Sequence, residues 1–219
     1  MPYELNFAPV IERSDLFVRG VMMTLYVSVI SMLIAVIWGF IIAVCQTAKL
    51  APLRTGAKVY VQFFRGIPLY VYVLWLYYGL DVFLGIKFSP LQAGVICLST
   101  LYGAYLSEID RGAIESISKG QTEAALSLGL TSFQTFIDVI LPQTIRIIIP
   151  PTTNMFAIMV MDSSLVSVIG VTELLRLMRE GASDTFRTME FYTVGAVIYA
   201  SLVFLITRIS AHLEKKHQF

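Results

Sequence analysis

The sequence is poor in charge and in cysteine, and both shortages narrow the class of protein. Asp, Glu, Lys and Arg make up 14% of its 219 residues, whereas about a quarter is usual for a soluble domain. The two cysteines, Cys45 and Cys97, lie far apart in apolar stretches, so they predict neither a disulfide framework nor a metal site. The net charge of +1 leaves no concentrated basic surface for nucleic acid.

Two signatures of catalysis are also missing. The sequence has no Gly-x-x-x-x-Gly-Lys-Ser/Thr phosphate loop, so we expect that this chain does not hydrolyse ATP. It has no His-Glu-x-x-His zinc motif, and both of its histidines, His212 and His217, lie in the C-terminal tail. We therefore expect this chain to be no enzyme and to carry no cofactor of its own.

Apolar surface is abundant instead. Hydrophobic residues make up 57% of the chain, and its mean hydropathy is +0.75. A soluble core of this size could not bury so many apolar side chains, whereas a bilayer could. Charge-free runs mark the crossings, because a charge at the bilayer centre costs about 3 kcal/mol. They predict an all-α integral membrane protein, one domain over residues 1–219, with about five transmembrane helices near 20–46, 59–80, 88–108, 147–171 and 191–211.

Basic residues in the connecting segments predict the orientation. They are more frequent on the side that holds Lys49, Arg54 and Lys58 than on the side that holds Arg13 and Arg19. By the positive-inside rule, the N-terminus lies outside and the C-terminus inside. The long polar segment 109–146, between the third and fourth helices, then faces the cytoplasm.

Local signals in segment 109–146 predict two short helices joined by a sharp turn. Ser118 and Thr131 each begin a capping-box pattern, which starts a helix. Between them, Gly129 suits the left-handed backbone that ends a helix. The second helix should stop near Leu141-Pro142, because the residue before a proline avoids helical angles.

The same segment carries a spaced motif made of Glu123, Ala124, Ala125, Gly129, Leu141 and Pro142. This motif resembles the cytoplasmic EAA signature of binding-protein-dependent ABC importer permeases, with Val139 where isoleucine is usual. In that family the segment forms coupling helices that sit in a cleft of the ATPase subunit. The resemblance therefore implies that these six residues couple the chain to an ATPase.

Four further segments resemble polar amino acid permeases of that kind. They are Phe64–Pro68, Glu108–Ile114, the Pro150-Pro151 pair and Asp162–Gly170. The resemblance implies a multi-pass permease subunit of an ATP-driven importer for a polar amino acid, in the bacterial cytoplasmic (inner) membrane. It also implies the partners: ABC ATPase subunits that hold ATP and Mg, a second permease subunit of the same or homologous sequence, and an extracytoplasmic amino-acid-binding protein.

A polar stripe interrupts the fourth predicted helix, and its members are Asp162, Ser163, Ser164 and Ser167. A charge inside a membrane helix normally faces a water-filled path or a partner, so the stripe predicts a substrate pathway. The alternative is a hydrogen-bonded aspartate that only fixes helix packing. Met161 stands where the resembled family usually has lysine. Either a sister permease carries the complete substrate site, or the substrate binds without that lysine.

Two other segments each allow two interpretations. Arg65, Gly66 and Pro68 predict a kink in the second helix, because proline removes a backbone hydrogen bond and glycine permits bending. This kink is either a gate or hinge, or only a helix start with a snorkelling arginine. The charged segment 172–190 is either a short amphipathic helix that contacts the binding protein or a solvated loop.

Two rival functions fit a membrane chain of this composition. One is an ion- or proton-coupled transporter that works without an ATPase, and the other is a non-transporting membrane scaffold. The motif in segment 109–146 favours the importer, because a scaffold would leave Asp162 and the Glu-Ala-Ala geometry without a purpose. The motifs do not name the amino acid, since specificity in the resembled family rests largely on the separate binding protein.

Overall fold

The computed structural model describes the backbone of residues 4–217 and the side chains as far as Ala211, and these residues contain helices but no strand. The α-helices are α1 (Ala8–Glu12), α2 (Ser14–Thr47), α3 (Ala51–Gly66), α4 (Leu69–Leu74), α5 (Leu80–Leu84), α6 (Pro90–Ser116), α7 (Lys119–Ser127), α8 (Ser132–Gln134), α9 (Leu141–Asp162), α10 (Leu174–Thr185) and α11 (Thr188–His217). Two π-helical turns, Trp75–Gly79 and Thr135–Ile140, join α4 to α5 and α8 to α9, and a 3₁₀ turn, Ser163–Ile169, continues α9.

Within the described residues, three helical stretches are long and apolar enough to cross a membrane. They are Ser14–Thr47, Ser132–Ile169 and Thr188–Ala211, and there are four if Ala51–Gly66 and Leu69–Leu84 form one broken span. These stretches contain the predicted first and fifth spans and nearly all of the fourth. The broken pair contains the predicted second span, with the break at residues 66–68 where the kink is predicted.

The predicted third span, 88–108, lies mostly in α6, which is long enough to cross but less apolar than the other three stretches. Its side chains are among the most buried of the chain: Ala93, Cys97, Leu98 and Ala104 are fully covered. A helix that packs against protein instead of lipid does not need an apolar surface all round. The count of five spans therefore stays a prediction.

The described residues divide into two compact units. The first unit contains residues 4–33, 67–99 and 156–206, and the second contains residues 34–66, 100–155 and 207–217. Each unit draws its helices from three separate parts of the sequence. The prediction of one domain over residues 1–219 is not decided by this division, and residues 1–3 and 218–219 lie outside the described part.

A buried carboxylate organises the first unit. Glu173 has no exposed surface and caps the N-terminus of α10, where it accepts hydrogen bonds from the backbone N–H groups of Leu175 (3.0 Å) and Arg176 (2.8 Å). The Tyr199 hydroxyl donates to the same carboxylate at 2.6 Å. Burial raises the pKa of Glu173 above its ordinary value, and these three donors act to lower it.

A close approach of two helices organises the second unit. A Cβ placed on Gly39 of α2 would lie 2.9 Å from the backbone oxygen of Gly103 and 3.0 Å from the Cβ of Leu106, both in α6. A side chain at position 39 would clash with α6. Glycine there allows the backbones of α2 and α6 to approach this closely. Gly56 of α3 differs, since a Cβ on it meets nothing within 4 Å.

We expect Gly39→Ala to lower the free energy of unfolding by about 1–3 kcal/mol, because the added methyl group overlaps the backbone of α6. The matched change Gly56→Ala should be neutral or stabilise by up to about 1 kcal/mol, because alanine favours helix and the space is open. The measurement is thermal unfolding of both purified variants in the same detergent. Equal midpoints for the two variants would contradict the close approach.

We expect Glu173→Ala to destabilise the protein by about 2–4 kcal/mol, because the change removes a helix cap and leaves the half-buried Tyr199 hydroxyl without this acceptor. Glu180→Ala is the control: this exposed carboxylate lies on the same helix and pairs only with Arg176 among the ion pairs that the structure describes. Such a surface pair contributes at most about 1 kcal/mol. A loss no larger for Glu173→Ala than for Glu180→Ala in thermal unfolding would show that the cap is dispensable.

Candidate functional site

The helix predicted after Ser118 is present as α7. The Ser118 hydroxyl caps it by accepting from the backbone N–H of Gly120 at 3.3 Å, rather than through the Gln121 partner of the predicted capping box. Glu123 and Ala124 are exposed on this helix, whereas Ala125 is buried. The motif thus presents a carboxylate and a small side chain to the outside, and Ala125 faces inward.

The turn after α7 requires its glycine. Gly129 has φ +85°, in the left-handed region. Its N–H donates to the carbonyl of Leu126 and the N–H of Leu130 donates to that of Ala125, which together form a Schellman motif. Any residue with a Cβ is strained in this conformation, although the space around Gly129 is open. The prediction of a left-handed turn at Gly129 is confirmed.

The second predicted capping box, unlike the first, is present. The Thr131 hydroxyl accepts from the backbone N–H of Gln134 at 3.3 Å, and the Gln134 side chain accepts from the backbone N–H of Thr131 at 2.9 Å. The π turn that follows, Thr135–Ile140, packs against α7. The segment therefore forms a compact helical hairpin around the buried side chains of Ala125 and Ile140.

The prediction that this second helix stops near Leu141-Pro142 is wrong, because the chain continues without a break into α9. A proline in a helix leaves a carbonyl of the preceding turn without its N–H donor and crowds it with the ring. Here the preceding turn is π-helical, so its hydrogen bonds follow a wider pattern. Two side chains also donate to carbonyls next to the proline, Gln143 to Val139 at 2.7 Å and Thr144 to Ile140 at 2.9 Å, although neither is the carbonyl that Pro142 leaves without a donor.

The hairpin that carries the exposed Glu123 also exposes apolar side chains. Leu128 is 84% exposed and Phe133 is 74% exposed, and Leu126 and Ile137 are exposed to a smaller degree. Exposed apolar residues next to a charge are typical of protein–protein interfaces rather than of a free polar loop. This surface, formed by Glu123, Leu126, Leu128, Phe133 and Ile137, is called the hairpin surface below.

The polar stripe of the fourth helix lies at the end of α9 and in the 3₁₀ turn that follows. Asp162 and Ser164 are half-buried, and Ser163 and Ser167 are buried. Since a 3₁₀ turn has three residues per turn, Ser164 and Ser167 lie on one side of it and Ser163 does not. The Ser163 hydroxyl donates to the carbonyl of Val160 at 2.8 Å. The four residues are therefore neighbours, but they do not form one regular stripe.

The predicted kink is a complete helix break. α3 ends at Gly66 and α4 begins at Leu69, with Pro68 as the N-cap residue of α4 in an extended conformation (φ −61°, ψ 130°). A backbone N–H at this position would have no acceptor within the helix, so a proline there costs no hydrogen bond. Arg65 precedes the break, and its guanidinium lies 5.4 Å from the ring centroid of Tyr105.

An ion network in the second unit joins two motifs that the sequence shows separately. Glu108 contacts Arg65 at 3.5 Å and Arg111 at 3.1 Å, and Arg111 contacts Glu115 at 2.7 Å. These four residues, together with Arg54 and Lys58 of α3, line a cavity of about 1020 Å³. This cavity was not predicted from the sequence, because Arg65 and Glu108 meet only after α3 and α6 have packed. The one hint of this contact in the sequence was that Arg65 and Glu108 carry opposite charges near the ends of predicted helices.

Comparison with known proteins identifies the family. Residues 35–218 match the family described as binding-protein-dependent transport system inner membrane component. The probable amino-acid ABC transporter permease protein YckA of Bacillus subtilis strain 168 is 39% identical over 98% of this chain and 95% of its own length. The glutamine transport system permease protein GlnP of Escherichia coli strain K12 is 35% identical over 97% of this chain and 98% of its own length.

Solved structures agree in fold. A crystal structure of an amino acid ABC transporter with histidines superimposes with a TM-score of 0.91 at 34% identity, over 98% of this chain and all of that one. An inward-facing structure of the MetNI methionine ABC transporter, at 22% identity and a TM-score of 0.80, shares the fold. This chain therefore belongs to the binding-protein-dependent transport system inner membrane components.

Proposed function

We propose that this chain is the permease subunit of an ATP-driven ABC importer for a polar amino acid, in the bacterial cytoplasmic membrane. Membership of the family and the names of the relatives as amino acid permeases support this function. The observation that carries the coupling role is the hairpin surface, where Glu123 is exposed and Gly129 holds the left-handed turn. Neither a scaffold nor an ion-coupled transporter gives that surface a partner.

The partners follow from the same proposal. An ABC ATPase subunit with bound ATP and Mg docks on the hairpin surface. The exposed Glu123 and Ala124 contact it, and Ala125, Gly129, Leu141 and Pro142 shape the hairpin that presents them. A second permease subunit, identical or homologous, completes the pathway. A binding protein delivers the amino acid from outside, and the charged helix α10 is a candidate contact for it. The N-terminus lies outside and the C-terminus inside. The chain itself is no enzyme.

The mechanism needs a pathway as well as a docking surface. Asp162, with Ser163, Ser164 and Ser167, supplies polar groups for the ammonium or hydroxyl groups of a small zwitterion. Arg65, Gly66 and Pro68 lie at a helix break, where a gate or hinge can bend without distorting a regular helix. Nucleotide-driven closure of the ATPase pair would move the hairpin surface and alternate access to the Asp162 region.

We expect Gly129→Asp to abolish co-purification of the ATPase with the tagged permease, because the side chain strains the left-handed turn and adds a charge to the hairpin surface. Gly120→Asp is the control, since it adds the same charge in the first turn of α7, where the helix dipole favours an acidic residue. The measurement is affinity purification in mild detergent followed by mass spectrometry. Normal recovery of the ATPase and normal uptake with Gly129→Asp would refute the docking surface.

We expect Asp162→Ala to reduce amino acid uptake more than about tenfold while the ATPase still co-purifies, because hydrogen bonds to a charged group contribute about 1.5–3 kcal/mol. Asp184→Ala is the control, since this exposed aspartate forms an ion pair with Arg13 on the surface. Uptake is measured in proteoliposomes that contain the permease, the ATPase and the binding protein. Wild-type uptake with Asp162→Ala would remove Asp162 from the pathway.

A further inference from the structure

The cavity of the second unit has an uneven distribution of charge. Each of its two carboxylates is already paired, Glu108 with Arg65 and Arg111, and Glu115 with Arg111. Among the residues that the structure describes, no carboxylate forms an ion pair with Arg54 or Lys58, which line the same cavity. Two cations are therefore left without a counter-charge, one helical turn apart on α3.

The cations of α3 share one face of the helix, and that face lines the cavity. Arg54, Lys58 and Arg65 are separated by four and seven residues, so at 3.6 residues per turn they form one stripe, and the stripe faces the cavity. Val59 and Phe63 lie on the opposite side of the helix and are exposed. α3 therefore turns its charges toward the cavity, where they remain exposed to water, and its apolar side chains away from it. In a membrane protein, charges that face inward mark a water-filled path.

Connectivity gives the cavity a position relative to the hairpin surface. Glu108, Arg111 and Glu115 lie on the last turns of α6, which ends at Ser116. Ser118 then caps α7, the helix that carries Glu123. The cavity thus lies at the end of α6 that leads into the hairpin, which the proposed function places on the cytoplasmic side.

We propose that this cavity is the release vestibule of the importer and that Arg54 and Lys58 bind the α-carboxylate of the departing amino acid. The inference rests on the proposed function, which supplies the amino acid and the side of the membrane. Both side chains reach water, so each holds a carboxylate weakly and releases it readily. Glu108 and Glu115 of α6 line the same cavity, and because both are already paired with arginine they accept the α-ammonium group without trapping it.

The test is chemical labelling of the vestibule in the purified permease, with the ATPase present and absent. Gln62 lines the cavity, and Gln62→Cys places a thiol there. Two methanethiosulfonate reagents are compared, one carrying a sulfonate and one a trimethylammonium group, and peptide mass spectrometry reads labelling at position 62 only. The potential of two cations should favour the anionic reagent about fivefold. Arg54→Gln with Lys58→Gln should abolish this preference, whereas Lys49→Gln, an exposed cation outside the cavity, should not.

The ligand arm uses L-arginine and its carboxamide at equal ionic strength, because the two molecules differ in the α-carboxylate. L-Arginine should slow labelling of position 62 and the carboxamide should not, and the Arg54/Lys58 double change should remove this protection. Labelling needs no transport, so its result is independent of the co-purification test of the proposed function. Equal reactivity of the two reagents, or equal protection by acid and amide, would overturn the vestibule. Faster labelling by the anionic reagent only after bound phospholipid is stripped would assign the cations to a lipid phosphate and would also overturn it.

Discussion

A charge removed from water needs a partner, and this requirement arranges the polar groups in both units. In the first unit Glu173 is fully buried and receives three donors, from Tyr199 and from two backbone N–H groups of α10. In the second unit Glu108 lies between Arg65 and Arg111. Few charges interrupt these apolar helices, and the ones just named are paired with other polar groups. The surplus cations of α3 stand out against this pattern, and they line the cavity of the second unit.

The proposed coupling role and the proposed pathway role fall on different local structures of this chain. The hairpin surface combines a charge with exposed apolar side chains, which suits a protein partner, and a single glycine conformation holds it in shape. The Asp162 region combines a half-buried charge with two buried serines, which suits a small polar molecule. The broken helix at Gly66 and Pro68 supplies a place where the backbone can bend. The proposed importer needs a docking surface, a pathway and a hinge, and this chain has a distinct candidate structure for each.

Features that depend on a few neighbouring residues could be predicted from the sequence. The left-handed turn at Gly129 and the capping box at Thr131 are examples, because each is set by chemistry within one turn of helix. The stop at Pro142 was wrong because a π turn, which has no signature in the sequence, accommodates the proline. The pairing of Arg65 with Glu108 needs the packing of two helices far apart in sequence, and no local pattern contains it. The burial of α6 is also set by packing between distant helices: its charge-free run predicted a span at 88–108, but no local pattern showed that its side chains would be covered by protein.

The exposure of Leu128 and Phe133 has a consequence for the life of the protein in the cell. A newly made copy that has not yet met its ATPase displays two large apolar side chains on the proposed cytoplasmic side. Such side chains are what chaperones and proteases recognise on incomplete assemblies. Synthesis of the permease in excess of its partner would therefore yield unassembled copies that are degraded, and the abundance of the ATPase would set the number of importers.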